Sequence, residues 1–545
     1  MQIDIHSFLH VLKNLPEPIK YFEEYIYLDA KHVIQIHILS TLDFYLELPF
    51  NSSVPTIFEV MKRLFLSNIL ILLVLNLLVK PLYIFGIDVQ VQNSIGPEQY
   101  GLFFSIFNYT LLFQFVIEYG ITNYVKREVS LDNRRAPTVF SGILLLKLGL
   151  ALLYFLLIIA FAWAFNYTGI EIKLVLFVGL IQFLLTMVSF LRGIIIGMGR
   201  YRADSVFSVI DKAIMIVLLG WKLYWPGTTL PDLNFFMMTY LLSVAITFFL
   251  ALIFLFFVLK VQWARPDRAM IRQLLIASTP YALITFLMGA YGRLDAVLLH
   301  SLLADGDFQA GIYAAGYRML DAYMMFALLF ANLLLPMLSS KQSDEEAFTD
   351  LMRFVTGLVM AATIIIGVGG FVFRREISEL LYHHSDEAWY NTLGLLFLTM
   401  IPVGLSTLYG TAILSIGRLK RMNILFSTGI LLSIVLNLIL IPEIKSEGAA
   451  VSALCVNSII ALGETIIFQR ESGFKPGVSF LLKLMALLII SFAIFSGIYL
   501  IDTSFWLKIG LGAIAMFLLA IALGMIQLNP RRIRAILSEK WTGTS

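Results

Sequence analysis

Long apolar runs separated by short polar connections make up almost all of the chain from about residue 64 onward. A helix that crosses a bilayer needs roughly 20 mainly apolar residues, and only helices or closed barrels satisfy their backbone groups in lipid. The pattern predicts fourteen membrane-spanning helices, at about 64–87, 99–125, 138–165, 172–196, 204–224, 235–260, 274–302, 308–338, 352–373, 391–416, 422–441, 448–469, 478–501 and 505–528. The predicted fold class is therefore an all-α polytopic membrane protein.

Lysine and arginine are concentrated in alternate connections, which predicts the orientation of the helices because cytoplasmic loops carry the excess of positive charge. On one side, which we call the basic side, lysines and arginines lie within 62–63, 126–135, 200–202, 265–272, 341, 418–421, 470–475 and 531–534. The connections on the other side contain six lysines and arginines in all. An even number of helices places both ends of the spanning region on the basic side. We expect a multi-pass protein of a bacterial inner membrane with both ends in the cytoplasm.

Composition narrows the class further. Hydrophobic residues make up 59% of the chain, charged residues 14%, and mean hydropathy is +0.87. The net charge of +3 is too small to indicate a nucleic-acid partner. Cys455 is the single cysteine, so an intrachain disulfide is excluded.

The first 60 residues differ from the rest, because they are acidic and contain only broken apolar runs. Met61, Lys62 and Arg63 then begin the first spanning segment in the manner of a bacterial inner-membrane protein. Two interpretations stay open, a cytoplasmic extension and a start codon assigned too early, of which the second is favoured. We assign no function to this segment.

An internal repeat relates two halves of the chain. Gly101 and Gly311 occupy similar contexts 210 residues apart, and Asp88 and Asp295 precede them 207 residues apart. Such repeats are typical of transporters with a site between two lobes. The predicted organisation is an acidic extension at 1–60, an N-lobe of six helices at 61–260, a basic cytoplasmic linker at 261–273, a C-lobe of six helices at 274–470, two further helices at 471–528, and a basic cytoplasmic tail at 529–545.

Two segments carry a family resemblance. NSIGPEQYGLFFSIFNYTLLFQFVIEYGITNYVKREVS (93–130) resembles the second helix of polysaccharide exporters, and RLDAVLLHSLLADGDFQAGIYAAGYRML (293–320) resembles their seventh and eighth helices. GRYR (199–202) and GRLKR (417–421) resemble the ends of their fourth and tenth helices. Over about 61–530 the chain is similar to the Wzx-type O-antigen flippases of the multidrug/oligosaccharidyl-lipid/polysaccharide (MOP) exporter superfamily. The extension at 1–60 departs from that pattern.

This resemblance implies alternating access between two six-helix lobes that moves an undecaprenyl-diphosphate oligosaccharide outward. It implies a lipid-linked substrate, surrounding membrane lipids, and polysaccharide polymerase and glycosyltransferases as possible partners. Three alternatives stay open: a cation-coupled multidrug antiporter, a flippase for the peptidoglycan precursor lipid II, and a membrane-embedded glycosyltransferase or polymerase. The inward arginines argue against the first, and the lack of a large outer loop argues against the third.

Charged side chains at membrane depth suggest where a substrate binds, since each costs about 2.5–3.5 kcal/mol to insert. Arg293 and Arg318 lie on helices joined by a short loop, and a guanidinium suits a lipid diphosphate. Lys80 on the first helix and Lys147 on the third are candidate cations from the other lobe. A purely structural interpretation stays open, because Arg318 and Asp321 are three residues apart on a helix and can pair.

Three acids are candidates for coupling transport to a proton or sodium gradient: Asp88, Glu118 and Asp295. Pairing with a basic residue would explain each of them equally well. Arg192, Asp211 and Lys483 fall near predicted helix ends, so we expect them to extend toward the membrane surface. The sequence has no G-x-x-x-x-G-K-[ST] motif and no metal-ligand or catalytic motif, so we predict no cofactor, no metal and no enzymatic activity.

Overall fold

The computed structural model describes residues 74–340, 345–383, 385–416, 419–474 and 477–526. The predicted extension at 1–60 and the tail at 529–545 lie outside the described residues. Within those ranges the secondary structure is helical and contains no β-strand, which confirms the predicted fold class.

The described part of the N-lobe contains eight main helical segments. They are α1 (Val74–Ile95), α2 (Pro97–Leu112), α3 (Gln114–Leu131), α4 (Ala136–Ala164), α5 (Gly169–Gly197), α6 (Tyr201–Phe207), α7 (Ile210–Tyr224) and α8 (Leu233–Val258). Helices α2 and α3 are bent by 46° relative to each other. This lobe has its own apolar core, which includes Ile106, Tyr154, Ile181 and Val244.

The C-lobe and the two following helices complete the described chain. They are α9 (Arg268–Tyr291), α10 (Leu294–Leu302), α11 (Gly306–Ser340), α12 (Glu345–Val372), α13 (Arg374–Leu381), α14 (Glu387–Ser415), α15 (Leu419–Ser472), α16 (Val478–Tyr499) and α17 (Phe505–Ala522). Helix α15 is interrupted at Ile444 and Lys445, where the φ of Lys445 is 49°. Helices α16 and α17 pack against α12 outside the two lobes.

Every one of the fourteen predicted segments overlaps one of these helices. Among the described residues, nine helices are long and apolar enough to cross a membrane, or ten if the bent pair α2 and α3 forms one span. The chain is thus a multi-pass membrane protein, whereas the number fourteen stays a prediction.

Local sequence explains where several helices begin. Gly96, with φ of 84°, ends α1, and Pro97 starts α2. Proline is tolerated at the first position of a helix because an N–H there would have no partner within the helix. Asp232, Asp267 and Asp386 each accept hydrogen bonds from backbone N–H groups in the first turns of α8, α9 and α14. These caps satisfy donors that have no partner within the helix.

The two lobes meet where α2 packs against α11, at the glycines that the repeat matches. A Cβ on Gly101 would overlap Asp307 O and Gly311 N, and a Cβ on Gly311 would overlap Pro97 O. The backbones approach this closely only because both positions lack a side chain. Gln92 Nε2 also donates to Gly311 O at 2.8 Å, on the side of the molecule opposite the basic connections. We call this opposite side the outer side.

Candidate functional site

A cavity of about 330 Å³ opens within the N-lobe and has one wall from α11 of the C-lobe. Its N-lobe walls come from helices α1, α2, α3, α5, α6, α7 and α8. Arg192 and Lys212 flank the basic connection at 200–202, so the cavity lies toward the basic side. Its lining residues are Lys80, Tyr83, Ile84, Phe103, Phe107, Gln114, Leu185, Val188, Ser189, Arg192, Phe207, Ser208, Asp211, Lys212, Phe236, Tyr240, Val244, Thr247, Arg318, Asp321 and Met325.

The lining has more positive than negative charge. Its ionisable side chains, counting neither histidine nor tyrosine, are four cations and two anions: Lys80, Arg192, Lys212 and Arg318, with Asp211 and Asp321. The difference is a formal charge of +2 from the lining itself. Aromatic rings occupy much of the remaining wall, so the cavity combines cationic groups with flat apolar surfaces.

Arg318 joins the two lobes through an ion pair. Its Nε lies 2.7 Å from Asp88 Oδ2 and donates to Tyr100 Oη at 2.9 Å. Its Nη1 donates to Asp321 Oδ2 at 3.3 Å, so the predicted pairing on the same helix is also formed. Asp88 on α1 is 1% exposed. It accepts a hydrogen bond from Tyr100 Oη at 2.7 Å, so it is an internal ion-pair partner of Arg318.

Arg293 is placed beside this network and is not among the residues that line the cavity. Its Nη1 donates to Asn108 Oδ1 at 3.1 Å, and its Nη2 lies 4.0 Å from Asp321 Oδ1. The guanidinium also lies over the ring of Tyr317 at 5.4 Å. Asp321 therefore lies between Arg293 and Arg318 and connects both to the cavity edge.

Lys80 lines the cavity, as a substrate-binding residue must, and is half-buried. Among the described residues, its Nζ has neither a hydrogen bond nor an ion pair within 4 Å. Lys212, which sequence reasoning missed, has its Nζ 3.4 Å from Asp211 Oδ2 and lies over the rings of Tyr83 and Tyr240, at 4.8 and 4.3 Å. At the start of an apolar run, Lys212 has the pattern of an ordinary interfacial anchor, so the sequence offers no signal for it.

Arg192 and Asp211, which we expected to extend toward the membrane surface, both line the cavity. Arg192 Nε lies 2.6 Å from Asp204 Oδ1, which holds the guanidinium between α5 and α6. Position near a helix end indicates depth in the membrane, but it does not indicate which face of the helix points inward.

Lys147, which is buried, and Glu118, which is half-buried, form an ion pair away from the cavity. Lys147 is 0% exposed, and its Nζ donates to Ile117 O at 3.0 Å and Thr186 O at 3.2 Å and lies 3.4 Å from Glu118 Oε2. The helix is interrupted just beyond, at Tyr119 and Gly120, which have φ of 39° and 73°. The lysine thus stabilises an interrupted turn of α3, and the substrate role predicted for it has no geometric support here.

Asp295 occupies the C-lobe position that the repeat matches to Asp88, but it has different neighbours. It is 3% exposed and accepts hydrogen bonds from Tyr313 Oη at 2.8 Å, Asn437 Nδ2 at 2.7 Å and Ser433 Oγ at 3.5 Å. Within the described chain, no basic side chain lies within 4 Å of it. Asn437 Oδ1 in the same cluster has no hydrogen-bond partner. The cluster therefore presents oxygen atoms without a compensating cation.

Comparison with known proteins identifies a family and a shared fold. The sequence model of the family described as "Polysaccharide biosynthesis protein" matches residues 65–342, half of the chain, and the chain belongs to that family. An uncharacterized membrane protein of Methanocaldococcus jannaschii is 23% identical over 401 residues, which cover 69% of this chain and 91% of that protein.

Solved structures share the fold. The lipid II flippase MurJ in an inward closed conformation has a TM-score of 0.65 at 15% identity, covering 86% of this chain and 100% of that one. An inward-facing multidrug resistance transporter of the MATE family in the MOP superfamily has a TM-score of 0.57 at 15% identity, covering 72% and 94%. A MOP superfamily transporter from Pyrococcus furiosus has a TM-score of 0.54 at 15% identity, covering 74% and 95%. The family match confirms the resemblance to polysaccharide exporters, and the fold is shared with solved proteins described as members of the MOP superfamily.

Proposed function

We propose that this protein is a flippase that moves an undecaprenyl-diphosphate-linked oligosaccharide from the cytoplasmic to the outer leaflet by alternating access. In this proposal it acts in surface polysaccharide synthesis, in a bacterial inner membrane, with both ends in the cytoplasm and without enzymatic activity. Glycosyltransferases supply its substrate and a polymerase consumes the product. Family membership and the excess of positive charge in the cavity support this function.

The single observation that carries the proposal is the difference in ion pairing between two cations of the cavity, Lys80 and Arg318. Lys80 has no anionic partner within 4 Å among the described residues, whereas Arg318 is held by Asp88 and Asp321. A lipid diphosphate entering from the basic side therefore meets Lys80 without having to displace an ion-pair partner in the described chain. Transfer of an anion out of water requires such cationic partners, because an unpaired buried charge is costly.

Arg318 gives the bound headgroup a way to act on the lobes. A diphosphate oxygen that binds the guanidinium competes with Asp88, which lies on α1 of the N-lobe, while Arg318 lies on α11 of the C-lobe. The exchange replaces an ion pair between the lobes with a contact to substrate. Binding therefore weakens the link that holds this arrangement, as a substrate must if it favours one of two conformations.

The cavity size fits a headgroup. Its volume of about 330 Å³ is at the lower end of ligand pockets, which range over roughly 300–1,000 Å³. The aromatic wall, which includes Phe103, Phe236 and Tyr240, offers flat apolar surfaces against which the first sugar ring can pack. The rest of the glycan extends toward the basic side in this conformation.

We propose Asp295 as the coupling carboxylate. It has hydroxyl and amide neighbours and no basic partner within 4 Å in the described chain, so a proton or a sodium ion can balance its charge. The other two candidates, Asp88 and Glu118, are already paired with Arg318 and Lys147. Their pairing favours a structural or gating role over ion coupling.

The alternatives differ in what the cavity should contain. A multidrug antiporter for cationic compounds would be served by an acidic cavity, and the observed lining has the opposite sign. A lipid II flippase needs the same diphosphate chemistry and shares the fold of MurJ, so the substrate itself must separate this alternative from the proposal. A polymerase or glycosyltransferase would need an outer catalytic domain, and the described outer connections are short.

The test is deletion of the gene in its host, with measurement of surface polysaccharide and of accumulated undecaprenyl-linked oligosaccharide. Wild type and Arg375→Ala, which changes an exposed arginine on α13, should restore polysaccharide. Lys80→Ala and Arg318→Ala should not, at normal protein levels. Rescue by a chain that starts at Met61 would show that the first 60 residues are dispensable. Normal polysaccharide in the deletion strain would refute the proposal.

A further inference from the structure

A histidine joins the two lobes on the outer side. His300, in the last turn of α10 in the C-lobe, has Nδ1 2.6 Å from Asp307 Oδ1 at the start of α11. Its Nε2 lies 3.3 Å from Glu171 Oε1, which belongs to α5 of the N-lobe. The side chain is 9% exposed, so these contacts are largely shielded from water. We call these three residues the outer clasp.

The sequence around Glu171 fixes one half of the clasp. Thr168 and Glu171 form a capping box at the start of α5, in which Glu171 Oε2 accepts from Thr168 N and Thr168 Oγ1 accepts from Glu171 N. One carboxylate oxygen is thus used at the cap and the other is directed at His300. The ring of Tyr167 packs edge-on against the imidazole at 5.2 Å and limits its rotation.

Counting donors gives the protonation state that this geometry requires. A neutral imidazole has one N–H and one acceptor nitrogen, whereas the imidazolium has two N–H donors. Both ring nitrogens face carboxylate oxygens, which only accept when ionised. The facing titratable groups are Glu171 on α5, Asp307 on α11 and the Tyr167 phenol before α5. Only a protonated His300 can donate to both carboxylates at once.

We propose that His300 is a proton-binding site that holds the outer side closed. With the proton bound, the imidazolium links Glu171 to Asp307 and so links the N-lobe to the C-lobe. Loss of the proton removes one of the two N–H donors, and the bond between lobes is broken or weakened. The physiological direction of this effect rests on the proposed function and orientation. An acidic outer side would protonate His300 and close the clasp, and so would favour return to the inward-open form after the substrate leaves.

The experiment measures conformation, without substrate or transport. Spin labels are placed at Ile170→Cys and Glu443→Cys, exposed positions at the outer ends of the two lobes, in a Cys455→Ser background. Distances between the labels are measured by pulsed electron paramagnetic resonance in nanodiscs at about pH 6 and about pH 8, which bracket the range where histidine changes charge. The fraction of long distances should rise roughly fivefold at the higher pH, as expected for loss of a charge-assisted bond.

The variants separate the clasp from other titrations. His300→Gln should show a high fraction of long distances at both pH values, whereas His383→Gln, an exposed histidine on the same side, should keep the wild-type response. Glu171→Gln provides a second test, because glutamine preserves a capping box while removing the charge, and it too should lose the response. The proposal would be overturned if the wild-type chain showed no pH response. It would also be overturned if His300→Gln and Glu171→Gln both kept the wild-type response.

The two proposals fail separately. If the clasp responds to pH but the protein does not restore polysaccharide, the role of His300 is supported and the proposed substrate is wrong. If the protein restores polysaccharide but the label distances do not change with pH, the proposed flippase function is supported and the proposed role of His300 is refuted.

Discussion

The ion pair between Asp88 and Arg318 should contribute measurably to stability, because one partner is buried and the pair joins two lobes. At the observed 2.7 Å, two unit charges attract by about 6 kcal/mol at an effective dielectric constant of about 20. Desolvation cancels part of this attraction, and loss of one partner of a buried pair typically costs about 3–5 kcal/mol. Asp321 remains 3.3 Å from Arg318 after Asp88 is neutralised. We therefore expect Asp88→Asn to cost about 2–3 kcal/mol.

A double-mutant cycle isolates the pair from its surroundings. Asp88→Asn, Arg318→Gln and the double variant are unfolded in mixed micelles with a denaturing detergent, and the free energies of unfolding are compared. The double variant should be more stable than the sum of the single changes predicts, by about 1–3 kcal/mol, because each single change leaves a charge without its partner.

The exposed pair Arg375 and Glu379, whose Nε and Oε1 atoms are 2.8 Å apart on one helix turn, is the matched control. Its cycle should show negligible coupling, since water screens exposed ion pairs. Additive behaviour of Asp88 and Arg318, or a coupling no larger than that of the control pair, would refute a stabilising role for this ion pair.

Three further predictions concern other parts of the molecule. Gly101→Ala should prevent the close packing of α2 on α11 and lower the thermal stability, whereas Gly149→Ala, with open space around it, should be neutral or stabilise the helix by up to about 1 kcal/mol; melting curves in detergent distinguish the two. Lys147→Met should destabilise the N-lobe by about 3 kcal/mol because Glu118 loses its buried partner, and the double variant with Glu118→Gln should recover much of this loss in the same unfolding assay. Asp295→Asn should abolish the dependence of transport on an ion gradient while binding of a diphosphate lipid, measured by fluorescence quenching, stays within about twofold of wild type; an unchanged gradient dependence would exclude Asp295 as the coupling group.

The sequence alone predicts two of the four cations in the cavity lining. Lys80 and Arg318 were singled out because a charge inside an apolar run needs a reason, and both line the cavity. The repeat match between Gly101 and Gly311 likewise corresponds to a contact between the lobes. In each case the signal is local. Lipid disfavours a charge within a membrane span, and helix geometry disfavours a glycine in the interior of a helix.

The hydropathy and charge pattern determined the class of protein and the helical architecture, since a bilayer imposes the same length and polarity on every span. The internal repeat predicted the two lobes. The tertiary structure alone decided which charges face one another. Asp88 and Arg318 are 230 residues apart, and Lys147 has its partners on two other helices. Lys212 points inward and Lys147 is enclosed within its lobe, although both are lysines on apolar helices. The rotation of each helix and its neighbours set these outcomes, and they arise from packing across the whole chain, which local hydropathy does not encode.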